Sequence, residues 1–172
     1  MTNICDNSDV ETIATRQASS AKGEPMREVL EHHLLETLSL PDVAVDWLMG
    51  MWDAIQFLDD VADGDDITRN EFDRALNQLL VGMPSNPFFT SYSSMLLPVV
   101  AVQLLKWQAS DAAERDGKAD AKSYMWRAGY YDLILMAVQI CHGYDVAVRM
   151  APIVMSLYGE KIEDYKKEFA DA

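Results

Sequence analysis

Asp42-Val-Ala-Val-Asp-Trp-Leu-Met-Gly-Met-Trp-Asp-Ala-Ile-Gln-Phe-Leu-Asp-Asp-Val-Ala62 is the stretch on which the fold turns. At about 100° per residue, Asp42, Asp46, Asp53, Gln56 and Asp60 fall on one narrow stripe of a helix. Trp47, Leu48, Met51, Trp52, Ile55 and Leu58 fill the remaining face. A helix apolar over so much of its circumference must be largely buried, so this segment predicts a central helix.

Working outward, each neighbouring segment also reads as helix. Pro25 suits a first helical turn, and the helix it starts runs to about Leu38. Ser39-Leu-Pro-Asp42 stops that helix and caps the next, with Ser39 as N-cap and Pro41 just inside. Gly64 ends the central helix, Thr68-Arg-Asn-Glu71 is a capping box, and the helix it opens reaches Gly82. Asn86 and Pro87 read as N-cap and first turn of a helical stretch from Phe88 to about Asp116, kinked or restarted at Pro98. Asp120 caps a helix reaching Cys141, a further helix runs to Leu157 past Pro152, and a short charged helix follows Gly159. No strand pattern, internal repeat or linker interrupts the series. The expectation is an all-α, single-domain bundle of seven or eight helices over residues 24–172, behind a polar, flexible arm at 1–23. The helices at 42–62 and 121–141 should be central, with Leu135 in the core.

The chain has 172 residues, 49% of them apolar, enough to bury about two-thirds of the surface an unfolded chain exposes. Its formal charge of −14 argues against direct contact with nucleic acid or an anionic membrane. A basic protein surface or a divalent cation fits that charge better. Two cysteines are too few for a disulfide framework. The amino terminus lacks a basic segment followed by an apolar core, and the longest apolar run, Met95 to Val102, is broken by Pro98 and too short to cross a bilayer. These features predict a soluble, cytoplasmic protein.

Four aspartates lie within the seven residues Asp59 to Asp65, with Arg69 the nearest base. Like charges this close repel and raise one another's pKa. Asp59 projects near Leu48, Trp52 and Ile55, towards the core, and Asp63 follows one turn later. A carboxylate aimed at an apolar face is costly unless it is paired or bound to a cation. Asp59 and Asp63 could grip one hard cation, Mg²⁺ being the candidate cofactor, with Asp60 adding charge. Alternatively, Asp59 pairs with Arg127 or Lys106 inside the bundle.

Gln56 followed by Phe57-Leu-Asp-Asp-Val-Ala-Asp63 resembles the aspartate-rich DDxxD motif of polyprenyl and terpenoid synthases. The resemblance implies that Asp59 and Asp63 ligate Mg²⁺ against a substrate diphosphate, with Asp60 in support. The second metal motif of class I terpene synthases is matched only at Ser110 and Glu114, since Lys106-Trp107 stands where that motif has Asn-Asp. The resemblance covers about 20 residues of the chain. Asp63-Gly-Asp-Asp-Ile-Thr-Arg-Asn-Glu-Phe72 is similar to the second half of an EF-hand loop, with its glycine one place early and Ala62 replacing a ligand.

Elsewhere, Tyr124, Arg127, Tyr131 and His142 share one face of the helix ending at Cys141. No nucleophile–base pair, Gly-rich phosphate loop or Cys/His metal spacing is present. Charge is uneven: residues 1–46 hold nine acids against three bases, and 53–73 hold eight against Arg69 alone. The sequence therefore predicts a non-enzymatic helical binding or assembly protein that engages a basic protein surface. Mimicry of nucleic acid by an inhibitor is one version of this. Asp42, Asp46 and Asp53 are its candidate binding residues, and self-association is a further candidate. The alternative is a Mg²⁺-dependent enzyme acting on a diphosphate through Asp59, Asp60 and Asp63, with Lys106, Arg115 and Arg127 to hold the phosphates and Glu114 a further candidate binding residue.

Overall fold

A computed structural model describes residues 26–169, and every regular element among them is helical. The segment read as a flexible arm, 1–23, lies outside the described residues. Helix α1 spans 26–37 and widens into a π turn at His33–Thr37. It is followed by α2, Asp42–Asp63. Helix α3 begins at Arg69–Asn77 and continues through a second π turn, Gln78–Gly82, into Met83–Ser85. Then come α4, Pro87–Arg115; α5, Ala121–Arg127; α6, Tyr130–His142; α7, Tyr144–Ser156; and α8, Ile162–Glu168. The protein is an all-α bundle, as its sequence predicts.

Several start and stop signals act as expected. The Thr68–Glu71 capping box opens α3. Asn86 Oδ1 accepts from Phe88 N and Phe89 N at 2.8 and 3.2 Å to open α4. Asp120 caps α5 reciprocally with Ser123. Ser39 does not cap α2. It closes α1 instead, in a left-handed conformation with φ 49°. Leu40 N donates to Leu34 O at 3.1 Å across this turn, one residue wider than a Schellman closure because the helix ends in a π turn, and Leu34, Leu38 and Leu40 are buried beneath it. That demand on the chain leaves α2 to start after Pro41 without a side-chain cap.

The amino-terminal half of α2 is central. Ala44, Val45, Trp47, Leu48 and Met49 are buried, and Trp47 stacks on Phe89 at 5.5 Å and 13° while also touching Phe88. Further along, Met51, Trp52 and Ile55 are half-buried and Leu58 is exposed, because the carboxy-terminal half of α2 runs outward beside α3. At the α2–α3 junction the Gln78 amide lies wedged between Gly50 and Gly82, where a Cβ on either glycine would strike it.

The helix expected over 120–141 is two. The chain breaks at Ala128 and Gly129, where a Cβ on Gly129 would lie 2.9 Å from Gln103 Cγ and 3.5 Å from its Cα. This close approach of α4 requires glycine and turns α6 away from α5. Within α6, Leu133, Ile134, Ala137 and Val138 are fully buried, whereas Leu135 is only half-buried. The core position of this helix is therefore 133–134.

Pro98 leaves α4 continuous, and the non-helical residue is Tyr92 at φ −125°, ψ 18°. The helix kinks there, six residues before the proline, whose ring crowds the carbonyl of residue 94. As a result the short apolar run of the sequence becomes part of a 29-residue helix, long and apolar enough by length and composition to cross a membrane. Its most apolar window has a mean hydropathy of 1.5 and is only 17% buried. Its inner side carries Gln103 and Ser110 beside Phe88 and Leu96, all buried, while Leu97, Val102, Leu104 and Leu105 on the outer side are at least half exposed.

Candidate functional site

The side chains singled out around Asp59 meet at a charge cluster joining α2, α4, α5 and α8. Arg127, in the last turn of α5, is its hub. Its guanidinium lies 3.4 Å from Asp59 Oδ2 and 3.4 Å from Glu114 Oε1. The other Asp59 oxygen accepts from Trp107 Nε1 at 3.1 Å. Glu114 Oε1 also lies 2.8 Å from Ser110 Oγ and 2.9 Å from Tyr165 Oη. Ser123 closes the ring: its carbonyl is 2.8 Å from Ser110 Oγ and its hydroxyl 2.6 Å from Tyr165 Oη. Tyr165 and Phe169 lie under the Arg127 guanidinium at 5.9 and 5.8 Å. Burial works against the charge of Arg127, and the Glu114 and Asp59 carboxylates more than offset it, so its pKa stands above the ordinary value.

Of the two sequence readings of Asp59, pairing with Arg127 describes its contacts. Lys106 goes elsewhere, to Asp132 at 2.6 Å. Both Asp59 oxygens have donors, and among the described residues no three His, Cys, Asp or Glu side chains are grouped to hold a metal ion. A guanidinium thus stands beside the carboxylate that the aspartate-rich motif would give to Mg²⁺.

A second feature lies on the other flank of α2. Asp59, Asp60 and Asp63 occupy its last turns with no base among them, where the helix dipole already disfavours negative charge. Burial pushes the Asp60 carboxyl above its ordinary pKa, and Asp65, Asp59, Asp63 and Glu71 push it further. Asp63 is raised too, by burial and then by Asp59, with Arg127 acting in the opposite direction. The Asp60 carboxylate has no hydrogen-bond or ion-pair partner among the described residues and faces an open groove of about 770 Å³ between α2 and α3. Phe57, Ile67 and Ala75 supply apolar lining, and Asp53, Glu71, Asp73, Arg27 and Arg74 add charge.

The strain at Asp60 gives a direct prediction. A carboxyl that binds its proton more tightly folded than unfolded destabilises the protein at neutral pH, and the penalty fades as pH falls through its folded pKa. Asp60→Asn should therefore raise Tm by about 1–2 °C at pH 7, with the gain vanishing towards pH 4. A variant that melts lower than wild type at pH 7 would contradict this.

The remaining candidates are dispersed. Asp42 and Asp46 are exposed at the start of α2. Asp53 is held by Arg27, which donates to its two oxygens at 2.9 and 3.1 Å and also pairs with Glu31. The stripe is thus continuous on the helix but only partly free. The expected shared face of Tyr124, Arg127, Tyr131 and His142 is divided by the Gly129 break. Tyr131 bonds Leu157 O, and its phenol is pushed up to about 12, first by burial. His142 Nε2 lies 3.0 Å from Leu38 O. Sequence reasoning missed Trp107 and Tyr165. Trp107 carried a signal, since Gln103, Trp107, Ser110 and Glu114 recur at helical spacing on one face. Tyr165, on a short polar helix, carried none.

Comparison of the chain with protein-family models, with curated proteins and with solved structures returns no match.

Proposed function

We propose that this chain is a non-enzymatic helical binding protein that takes a basic segment of a partner protein into the groove between α2 and α3. The observation that carries the reading is the unpaired Asp60, set at the negative end of α2 and opening onto a groove with apolar lining. Carboxylates placed against both a helix dipole and one another weaken the fold, and a cationic partner would relieve that cost. Lysine or arginine side chains would meet Asp60, Glu71 and Asp73, while Phe57 and Ile67 would cover apolar parts of the same segment. Steering by the surrounding field makes association fast and salt-sensitive. Asp42 and Asp46 would contribute to encounter more than to the bound state.

A Mg²⁺-dependent enzyme acting on a diphosphate is the second reading; it rests on the Asp59, Asp60 and Asp63 spacing with the Arg127 cation 3.4 Å from Asp59, and it requires that ion pair to open. One set of titrations separates the two. A lysine- and arginine-rich peptide should bind the wild type at low salt, and Asp60→Asn with Glu71→Gln and Asp73→Asn should weaken it at least about tenfold, or roughly 1.4 kcal/mol. Absence of peptide binding, or binding indifferent to these substitutions, would refute the groove. Heat from inorganic pyrophosphate and MgCl₂ that disappears in Asp59→Ala would favour the enzyme.

A further inference from the structure

The outward face of α4 has the composition of a core and none of its burial. Between Ser94 and Ala112, the positions pointing away from the bundle are Leu97, Pro98, Ala101, Val102, Leu104 and Leu105, followed by Gln108 and Ala109. Leu105 is 65% exposed and Val102 56%. Lys106, Trp107, Ser110 and Glu114 lie on the inner side, tied to α6, α2, α5 and α8 respectively. A surface helix normally has the opposite arrangement.

We infer that this face is where a second copy of the chain docks, antiparallel, about a two-fold axis near residue 103. Three observations favour that occupant. First, charge: residues 87–115 hold two acids and two bases, whereas 53–73 hold eight acids against one base, so two strongly acidic bodies can approach on this side without repulsion. Second, shape: Pro98, Ala101, Leu105, Gln108 and Ala112 follow the three–four spacing of a helix-pairing seam. An antiparallel two-fold centred on 103 sets Ala101 of one copy against Leu105 of the other, small against large, twice. Third, area: Met95, Leu97, Val102, Leu104 and Leu105 are 42–65% exposed. They present on the order of 500 Å² of apolar surface, the upper range for a lone monomer. Two such faces with their rims approach the roughly 1,200–2,000 Å² of a stable interface. A bilayer fits less well, because the part-exposed Lys106–Asp132 pair and Gln108 would have to enter it.

The test is the mass of the full chain by sedimentation equilibrium from micromolar to sub-millimolar concentration, with and without phosphatidylcholine vesicles. The expected result is a dimer. Leu105→Glu should weaken it at least about tenfold while leaving helicity and Tm unchanged, since the side chain is exposed in the monomer. Ala101→Leu and Leu105→Ala should each weaken it, and the two together should restore it by recreating the same pairing in reverse. A monomer at every concentration overturns the inference, as does a dimer indifferent to Leu105→Glu. Partition into vesicles in place of self-association overturns it in favour of lipid.

Discussion

Arg127→Ala is expected to cost about 2–4 kcal/mol and to lower Tm by roughly 5–12 °C. The loss follows from what the guanidinium leaves behind rather than from the ion pair as such. Glu114 is only 11% exposed and Asp59 29%, so both carboxylates would remain partly buried without a counter-charge. The figure lies below that for a fully buried pair because water reaches all three groups. Without the cation the two part-buried carboxylates are left facing one another uncompensated. Arg127→Met with Asp59→Asn and Glu114→Gln should therefore recover much of the loss. Urea unfolding of the single and triple variants measures both. A triple variant no more stable than Arg127→Ala would assign the loss to the packing of Arg127 over Tyr165 and Phe169 instead.

Trp47→Ala should cost about 3–5 kcal/mol, a third or more of the stability of a typical domain. Trp47 is 1% exposed and fastens α2 to the first turn of α4 through Phe88 and Phe89. Truncation leaves a cavity between two helices whose positions are fixed elsewhere, so the site cannot collapse. Trp47→Phe should cost distinctly less. The indole Nε1 is buried without a hydrogen-bond partner among the described residues, so removing that donor regains part of its desolvation penalty. Equal losses in the two variants, read from urea midpoints, would show that the unpaired donor carries no cost.

The helical architecture was legible because its signals are local. Thr68 with Glu71, Asn86 before Pro87 and Asp120 before Ser123 each satisfy backbone donors within one turn, and each begins a helix where the sequence places it. What escaped were features set by distant neighbours. Ser39 reads as an N-cap by type, yet the buried Leu34, Leu38 and Leu40 recruit it to close the preceding helix. Gly129 reads as a tolerated glycine within a helix until Gln103 of α4 is seen against it. At the candidate site, the inward direction of Asp59 was readable from the helical wheel, and Arg127 stood among its named partners. The choice between Arg127 and Lys106 was not readable, because it depends on where α5 and α6 part company. The apolar outer side of α4 was in the sequence as well, but proline and low amphipathicity concealed which side faced in.

The wedge of Gln78 between Gly50 and Gly82 has a consequence for how this protein can diverge. Any side chain at 50 or 82 meets the amide at 78, and a shorter residue at 78 opens a gap beside both glycines. Because the atoms met are the tip of a flexible, half-buried side chain, the amide can swing aside, and a larger residue at 50 or 82 displaces Gln78 before it disturbs the backbone. Drift at the two glycines should therefore show first as a change at 78, while the carboxylates of the neighbouring groove vary independently.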